Sequence, residues 1–212
     1  MTAALADLPA LPALSPSALT ATGLSLSRGE VVLFRDLALD LQPGGALLLT
    51  GPNGTGKTTL LRALAGFVQP DAGEISVGGD PADTIGWLGH ADGLKPNETL
   101  RMASRFWADL HGVSRKAILP VMRLLTIDHL IDRPAGQLSR GQQRRAALAR
   151  VALTGRPLWL LDEPAGPLDA AGRDRLAELV AWHRARGGSV IAATHQALDW
   201  PRAQILDLGA RA

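Results

Sequence analysis

The sequence predicts a layered α/β domain, and two observations predict it. Wholly apolar runs at residues 46–49, 158–161 and 190–193 are each followed by a polar residue, as buried strands are. Segments with helical spacing of apolar residues, such as 57–65 and 170–185, lie between these runs. Because ligands of such folds bind beyond the carboxyl ends of the strands, the polar residues after each run are candidate site residues.

Composition narrows the class of protein. No apolar run approaches 18 residues in the 212-residue chain, so no segment is predicted to span a membrane. The absence of cysteine excludes disulfides and thiolate metal sites, and it suits a reducing compartment. The net charge of +2 comes from 22 basic and 20 acidic residues, so a nucleic-acid partner is not expected.

The ends of the domain and its insertions follow from local composition. Residues 1–20, rich in Ala, Leu and Pro, are predicted to be a disordered tail before one domain over 21–212. Three short runs over 24–41 predict small antiparallel strands, and residues 80–83 predict a loop. Residues 98–133 carry apolar side chains at helical spacing, including Phe106 and Trp107, which are predicted to lie in the core.

A glycine-rich turn between the first buried strand and the following helix predicts phosphate binding. Its glycines let successive N–H groups face phosphate oxygens, and the helix adds its positive end. Lys57 supplies a charge for the β- and γ-phosphates, and the Thr58 hydroxyl is a candidate magnesium ligand. The alternative is a glycine turn with a surface lysine. The candidate phosphate-binding residues are Gly51, Pro52, Asn53, Gly54, Thr55, Gly56, Lys57, Thr58 and Thr59.

Acidic and histidine side chains follow other predicted strands. Asp162 is a candidate magnesium ligand, and Glu163 is a candidate general base. In an extended backbone the two carboxylates would diverge, so that one serves the metal and the other faces the attacking water. A strand-to-turn cap is the alternative for this pair. His90 and His195 end two further strands, although a lone histidine is usually structural.

A resemblance to one protein family becomes specific at residues 138–143, which read Leu-Ser-Arg-Gly-Gln-Gln. They are similar to the LSGGQ signature of ATP-binding-cassette (ABC) ATPases, and the other motifs of that family occur in their usual order over residues 24–208. The resemblance implies a P-loop NTPase with a RecA-like core sheet, a small antiparallel β subdomain and an inserted helical subdomain. The core and β subdomain would comprise 21–89 and 155–212, and the helical subdomain with the signature helix 90–154.

The resemblance also implies a mechanism that needs two copies and two ATP molecules. Ser139, Gly141, Gln142 and Asp169 of one copy would contact the ATP held by Lys57 of the other. His195 resembles the histidine that contacts the γ-phosphate and positions water. The arginines of the signature helix, Arg144, Arg145 and Arg150, are predicted to lie on a solvated face.

Two positions depart from the family pattern. His90 stands where glutamine is usual, and this feature resembles the haem-exporter ATPases of bacterial cytochrome c maturation. His90 is therefore a candidate catalytic residue and magnesium-side ligand. Arg28 stands where an aromatic residue usually stacks on adenine, and a guanidinium can stack on a base. The alternative is that Arg28 is an exposed turn residue.

The resemblance implies a function and partners. The chain is expected to hydrolyse ATP with Mg²⁺ as the nucleotide-binding subunit of a membrane transporter, and to form an ATP-dependent homodimer. Membrane subunits would dock near His90 and the helical subdomain, at the cytoplasmic face of the bacterial inner membrane. Haem would be handled by the complex and not bound by this chain. The alternatives are the ATPase of another ABC exporter and an ABC ATPase with no part in transport.

Overall fold

The computed structural model describes Leu11 and residues 13–209 of the 212-residue chain. Its strands, in chain order, are β1 (Leu19–Arg28), β2 (Val31–Leu41), β3 (Ala46–Thr50), β4 (Ala72–Val77), β5 (Ile85–Leu88), β6 (Leu158–Asp162), β7 (Ser189–Ala193) and β8 (Gln204–Asp207). Its α-helices are α1 (Lys57–Leu64), α2 (Pro81–Thr84), α3 (Leu100–Leu110), α4 (Ile118–Leu124), α5 (Arg140–Ala152) and α6 (Ala170–Ala185). Three short 3₁₀ turns lie at Arg115–Ala117, Asp128–Leu130 and Ala135–Gln137.

A five-stranded sheet forms the centre of the fold, with the order β5-β6-β7-β3-β8 and parallel pairing throughout. The central strands β3, β6 and β7 are buried along almost their whole length, which explains their unbroken apolar sequences. Parallel strands bring their carboxyl ends to one edge, so the residues after β3, β5, β6 and β7 meet there. The predicted α/β fold is confirmed.

A second sheet pairs β2, β1 and β4 in antiparallel fashion. The three short runs predicted over 24–41 are two long strands, because a register shift between Leu24 and Leu26 carries the pairing past residues 35–36 of β2. Asp36 has a positive φ of 50°, as expected at an irregularity of the ladder. The predicted antiparallel β sheet is therefore present, but its strands are longer than the sequence suggested.

The amino-terminal boundary differs from the prediction. β1 begins at Leu19, inside the predicted tail, and the Ser17 hydroxyl donates to the Gly78 carbonyl. Leu11 and Leu14 are buried, and the Leu11 carbonyl accepts a hydrogen bond from Arg186. Scattered leucines among prolines gave no periodic signal of this packing. Residues 1–10 and 12 of the predicted tail lie outside the described residues.

Two further local predictions were wrong. The segment predicted as a loop at 80–83 is mostly the short helix α2, in which the Asp80 carboxylate caps the Ala82 N–H. Phe106, predicted to lie in the core, is 58% exposed. The reason is that α3 buries Leu100, Ser104 and Ala108, which share one face, and turns Phe106 away from it.

Two clusters of buried side chains cover the two faces of the parallel sheet. One cluster joins β6 side chains such as Trp159 and Leu161 to α4, α5 and α6. The other joins Leu158 and Leu160 to α1 and to the antiparallel sheet. The alternation along β6 shows that this strand is buried from both sides. Within the described part of the chain, none of the helices has both the length and the apolar character needed to cross a bilayer.

Candidate functional site

The predicted phosphate-binding turn connects β3 to α1 at the carboxyl edge of the parallel sheet. Gly51, Gly54 and Gly56 have φ values of 126°, 90° and 94°. Residues that carry a Cβ rarely adopt such positive φ values. Gly51 is also tightly packed, since a Cβ there would come within 2.8 Å of the Gly209 nitrogen. Only glycine satisfies both conditions, so the backbone of this turn fits the anion-binding role that the sequence predicts.

Lys57 begins α1 and is buried, with 7% of its surface exposed. Its Nζ donates to the carbonyl oxygens of Gly51 and Pro52, at 2.6 and 2.8 Å. The ammonium group is therefore held inside the turn, next to the amino-terminal end of α1. A buried cation at a helix amino terminus is a suitable partner for phosphate oxygens.

Thr58 and Asp162 face each other across the site. The Thr58 hydroxyl lies 3.0 and 3.1 Å from the two carboxylate oxygens of Asp162, to which it donates. Burial raises the pKa of the Asp162 carboxyl above its ordinary value, and the nearby Glu163 charge also raises this pKa. The Thr58 hydrogen bond, His90 and the Arg144 guanidinium lower this pKa.

The donor chemistry fits magnesium. Hydroxyl and carboxylate oxygens are the ligands that Mg²⁺ prefers, and Mg²⁺ usually keeps several waters and substrate phosphates as its remaining ligands. The described residues contain no group of three or more His, Cys, Asp or Glu side chains that could hold a metal ion. Thr58 and Asp162 would hold the ion, whereas nothing in the geometry makes His90 a ligand, and that role stays a prediction.

Glu163 follows Asp162 but does not continue the strand. Its φ of 48° is left-handed, its N–H donates to the Ala193 carbonyl at 2.9 Å, and its own carbonyl accepts from Arg144. The extended backbone assumed from the sequence is therefore wrong at this residue. Because of the turn, Asp162 and Glu163 line the same cavity, where two successive strand residues would face opposite sides.

His195 follows β7 and lies beside Glu163. Its Nδ1 is 2.9 Å from the Glu163 Oε2, the distance of an ion pair. Both side chains line the cavity, and the Glu163 side chain is 22% exposed. The carboxylate can therefore reach a water in the cavity and accept its proton, as the predicted general base requires.

One cavity of about 490 Å³ contains most of the predicted site residues. Its volume is within the range of about 300–1,000 Å³ that is usual for small-molecule sites. The residues that line it are Arg28, Asn53, Gly54, Gly56, Lys57, Thr58, Thr59, His90, Asp162, Glu163 and His195. Gly51, Pro52 and Thr55 shape the turn beneath it, and the Thr55 hydroxyl donates to the Pro52 carbonyl at 3.0 Å.

Four predicted residues lie away from this cavity. Ser139 and Gln142 form a capping box at the start of α5, in which the Ser139 hydroxyl accepts from the Gln142 N–H and the Gln142 amide oxygen accepts from the Ser139 N–H. Gly141 is on the same turn of helix, packed near the Pro167 carbonyl. The Asp169 carboxylate caps α6 by accepting from the Gly172 N–H at 2.8 Å. Their contact with ATP in a second copy stays a prediction.

Cavity volume alone does not identify the functional site. A groove of about 590 Å³ lies between α1 and β4 and is larger than the cavity around Lys57. Its lining includes Ala63, Val68, Pro70 and Ile75, and it contains none of the predicted catalytic side chains. The cavity around Lys57 is therefore the better candidate, because charged and hydroxyl groups converge there.

Sequence reasoning missed Arg144. It was predicted to lie on a solvated helix face, but it is 2% exposed and donates to backbone carbonyls at the end of β6, including that of Glu163. The available signal was its position three and four residues before Ala147 and Leu148, which are buried on the same face of α5. Arg145 and Arg150 are half-buried and also bind backbone carbonyls.

Comparison with known proteins agrees with this geometry. Residues 34–166 match the family model described as ABC transporter. A cytochrome c biogenesis ATP-binding export protein CcmA from Maricaulis maris is 64% identical, over 95% of this chain and 97% of the relative. A protein of the same description from Hyphomonas neptunium is 48% identical, over 86% of this chain and 92% of the relative.

A solved structure supports the fold. The ATP-binding subunit of an ABC transporter superimposes with a TM-score of 0.79, at 24% identity, over 90% of this chain and 86% of that chain. At this identity the likeness concerns the fold alone. The family model and the close relatives carry the assignment. The chain therefore belongs to the ABC transporter ATP-binding family and, within it, to the cytochrome c biogenesis ATP-binding export proteins.

Proposed function

We propose that this protein is the ATP-hydrolysing subunit of a membrane transporter complex in c-type cytochrome biogenesis. One observation carries the proposal: the Thr58–Asp162 contact lies beside buried Lys57, in a cavity that Glu163 and His195 also line. This combination provides a phosphate-binding turn, a magnesium site and a general base within one cavity. The naming of the 64% identical relative supports the assignment to cytochrome c biogenesis.

Substrate binding falls to the turn and to Lys57. The N–H groups of residues 53–59 and the amino-terminal end of α1 would bind the β- and γ-phosphates of ATP, with Lys57 exchanging its carbonyl contacts for phosphate oxygens. Thr58 and Asp162 would hold Mg²⁺, which neutralises charge between these phosphates. Arg28 lines the same cavity, and we assign it to the base because a guanidinium can stack on adenine.

The chemical step is assigned to Glu163. Its carboxylate accepts a proton from water, the water oxygen attacks the γ-phosphorus, and the bond to the β-phosphate oxygen breaks to give ADP and phosphate. His195, whose Nδ1 is 2.9 Å from the Glu163 Oε2, orients Glu163 and the γ-phosphate. His90 also lines the cavity, where it can contact the attacking water or the magnesium shell.

A second copy is part of the proposal. Ser139, Gly141, Gln142 and Asp169 lie outside the Lys57 cavity of their own chain, which supports a role for them in the site of another copy. The start of α5, with its capping hydroxyl, is chemically suited to meet a γ-phosphate. We assign residues 19–89 and 155–209 to the core and β subdomain, and residues 90–154 to the helical subdomain with the signature helix.

The proposed partners are integral-membrane transporter subunits that dock near His90 and the helical subdomain. The chain would then be a peripheral protein at the cytoplasmic face of the bacterial inner membrane. Haem would be handled by the assembled complex and not by this subunit, and nucleic acid has no part in the proposal. Placing the docking surface beside His90 puts it next to the catalytic cavity.

Replacement of the general base tests the ATPase assignment. We expect Glu163→Gln to bind ATP with Mg²⁺ as the unchanged protein does, to lose steady-state turnover and to accumulate as an ATP-bound dimer, because the amide cannot take the proton. Phosphate release and size-exclusion chromatography measure the two effects. Glu98→Gln, which alters a carboxylate paired with Lys95 at the surface, is the control and should keep full turnover. Robust hydrolysis by Glu163→Gln would remove Glu163 from its role.

Purification from cells tests the assignment to cytochrome c biogenesis. Membrane subunits of that system should co-purify with the tagged chain, and Lys57→Ala should prevent haem delivery to c-type cytochromes. Co-purification with an unrelated exporter, together with normal cytochrome maturation, would favour another ABC exporter. Recovery without membrane proteins, again with normal maturation, would favour an ABC ATPase that takes no part in transport.

A further inference from the structure

Arg144 is a buried cation at the catalytic edge of the sheet, and neither the proposed chemistry nor the sequence motifs gave it a role. We propose that Arg144 is a positioning residue that ties the His90 loop, residues 89–94, to the backbone of Asp162 and Glu163. Through this link the loop position sets the orientation of the general base. The inference rests on the proposed ATPase function and concerns how that same site is regulated.

The two arms of the guanidinium contact different segments. Nη1 donates to the Gly89 carbonyl at 2.9 Å and to the Asp92 Oδ1 at 2.8 Å, both in the His90 loop. Nη2 donates to the carbonyls of Asp162 and Glu163, the second at 2.8 Å, at the end of β6. One rigid planar group therefore fixes the distance between the loop and the strand end.

Arg144 contacts Glu163 at the backbone turn that directs the Glu163 carboxylate into the cavity. The left-handed φ of 48° is unfavourable for a residue with a Cβ, so it persists only where the surroundings hold it. The Glu163 N–H is held by the Ala193 carbonyl, and its carbonyl is held by Arg144 and the Gly166 N–H. Without Arg144 one of these hydrogen bonds is lost, and the turn that brings Glu163 into the cavity is less stable.

The contact with Asp92 makes the link sensitive to the loop. The Arg144 side chain is 3% exposed and that of Asp92 is 18% exposed, so the pair is largely shielded from water. Separating the partners of a shielded ion pair is strongly destabilising, because the remaining charge stays buried without its partner. A displacement of residues 89–94 would therefore pull on Arg144 and, through it, on the Glu163 carbonyl.

Kinetics of Arg144→Met provide the test. We expect kcat to fall roughly 10- to 100-fold, the scale of a misplaced catalytic group, with the KM for ATP changed less than about threefold because Lys57 is intact. The affinity for a fluorescent ATP analogue with Mg²⁺ should stay close to that of the wild-type protein. Arg144→Lys should recover part of kcat, because a cation of similar reach restores one arm but cannot span both segments.

Arg145→Met is the matched control on the same helix. Its guanidinium also binds a backbone carbonyl, that of Leu125 at 3.2 Å, and the Thr126 hydroxyl, but it contacts neither the His90 loop nor β6. We expect it to lower the melting temperature without lowering kcat. Equal losses of kcat in the two variants would overturn the inference, since they would reflect general destabilisation.

A second pair of variants keeps the test decisive if Arg144→Met does not fold. Asp92→Ala removes the charged contact of the loop arm and leaves the Gly89 contact, so we expect a partial fall in kcat with KM preserved. Asp132→Ala, which breaks a surface pair with Arg101, should have no effect. In the double variant with Arg144→Met, Asp92→Ala should add nothing further, as expected for one link. Unchanged kcat in Asp92→Ala would overturn the inference, whereas a wild-type protein without turnover would instead defeat the proposed ATPase function.

Discussion

His183 lies on α6 with its ring stacked on Trp159, at a centroid distance of 3.7 Å. Its Nε2 is 3.1 Å from the Pro157 carbonyl and 3.3 Å from that of Ser189, and since both are acceptors, this nitrogen carries the proton. Burial lowers the pKa of His183 to about 3, and the two carbonyls only partly offset this effect. The residue is therefore a neutral hydrogen-bond donor that joins α6 to the entry of β7.

This environment predicts an acid-sensitive fold. The folded-state pKa is below the unfolded value of about 6.5, so the contribution of neutral His183 is complete above pH 6.5 and is lost as pH falls towards 3. Each pH unit below 6.5 costs about 1.4 kcal/mol, so this residue alone should remove about 2 kcal/mol of unfolding free energy at pH 5. Chemical denaturation between pH 5 and 7.5 measures the slope.

Two variants separate His183 from the other histidines. His183→Gln keeps a donor but does not titrate, so its unfolding free energy should vary less with pH than that of wild type. His129→Gln replaces an exposed histidine and should leave the slope unchanged. A His183→Gln slope equal to that of wild type would show that the ring contributes nothing to acid sensitivity.

The helices and strands of this fold are predicted well from the sequence where the residues that determine them are neighbours in the chain. α6 begins and ends at the residues expected from its apolar spacing, with Asp169 as its cap and Gly187 after it. The strands β3, β6 and β7 match their apolar runs within one residue or two. The turn before α1 is equally local, because its glycines and Lys57 lie within a single stretch of sequence.

Other features depend on contacts that are distant in sequence and could not be predicted. The left-handed turn at Glu163 is held by Ala193 and Arg144, neither of which is its neighbour in the chain. The burial of Arg144 depends on oxygens that only the folded chain brings together. The packing of Leu11 and Ser17 depends on partners such as Arg186 and Gly78. Periodicity carries no information on such pairs.

The cap of α6 gives a prediction at the scale of one helix. The Asp169 carboxylate satisfies the Gly172 N–H, one of the four donors that a helix start leaves free. We expect Asp169→Ala to lower the unfolding free energy by about 1 kcal/mol, whereas Asp169→Asn, which also caps well, should lose much less. Urea denaturation of the isolated protein measures both. Equal losses in the two variants would show that capping is not what the side chain contributes to stability.

At the scale of the whole molecule, the residues proposed to act on ATP fall into two sets. Lys57 and Glu163 line one cavity of the same chain, whereas Ser139 lies at the start of α5, outside that cavity. If ATP is hydrolysed only between two copies, each site takes Lys57 and Glu163 from one chain and Ser139 from the other. A symmetric pair then contains two equivalent composite sites.

This division predicts that two inactive variants restore activity when mixed. Lys57→Ala and Ser139→Asn, in which asparagine keeps the helix cap, should each be inactive alone. In a mixed pair, the Lys57 of one variant meets the Ser139 of the other, so one of its two sites is intact. Since half of randomly formed pairs are mixed, we expect up to about one quarter of the wild-type ATPase rate.

The control mixture combines Lys57→Ala with Glu163→Gln. Both residues line the cavity of a single chain, so no arrangement of the two variants contains an intact site, and this mixture should stay inactive. Activity in the first mixture and none in the second is the pattern that a composite site requires. If Ser139→Asn alone hydrolyses ATP at the wild-type rate, or if both mixtures behave alike, Ser139 has no role in the site of a second copy. In that case the Lys57 cavity of one chain would have to complete the γ-phosphate contacts by itself.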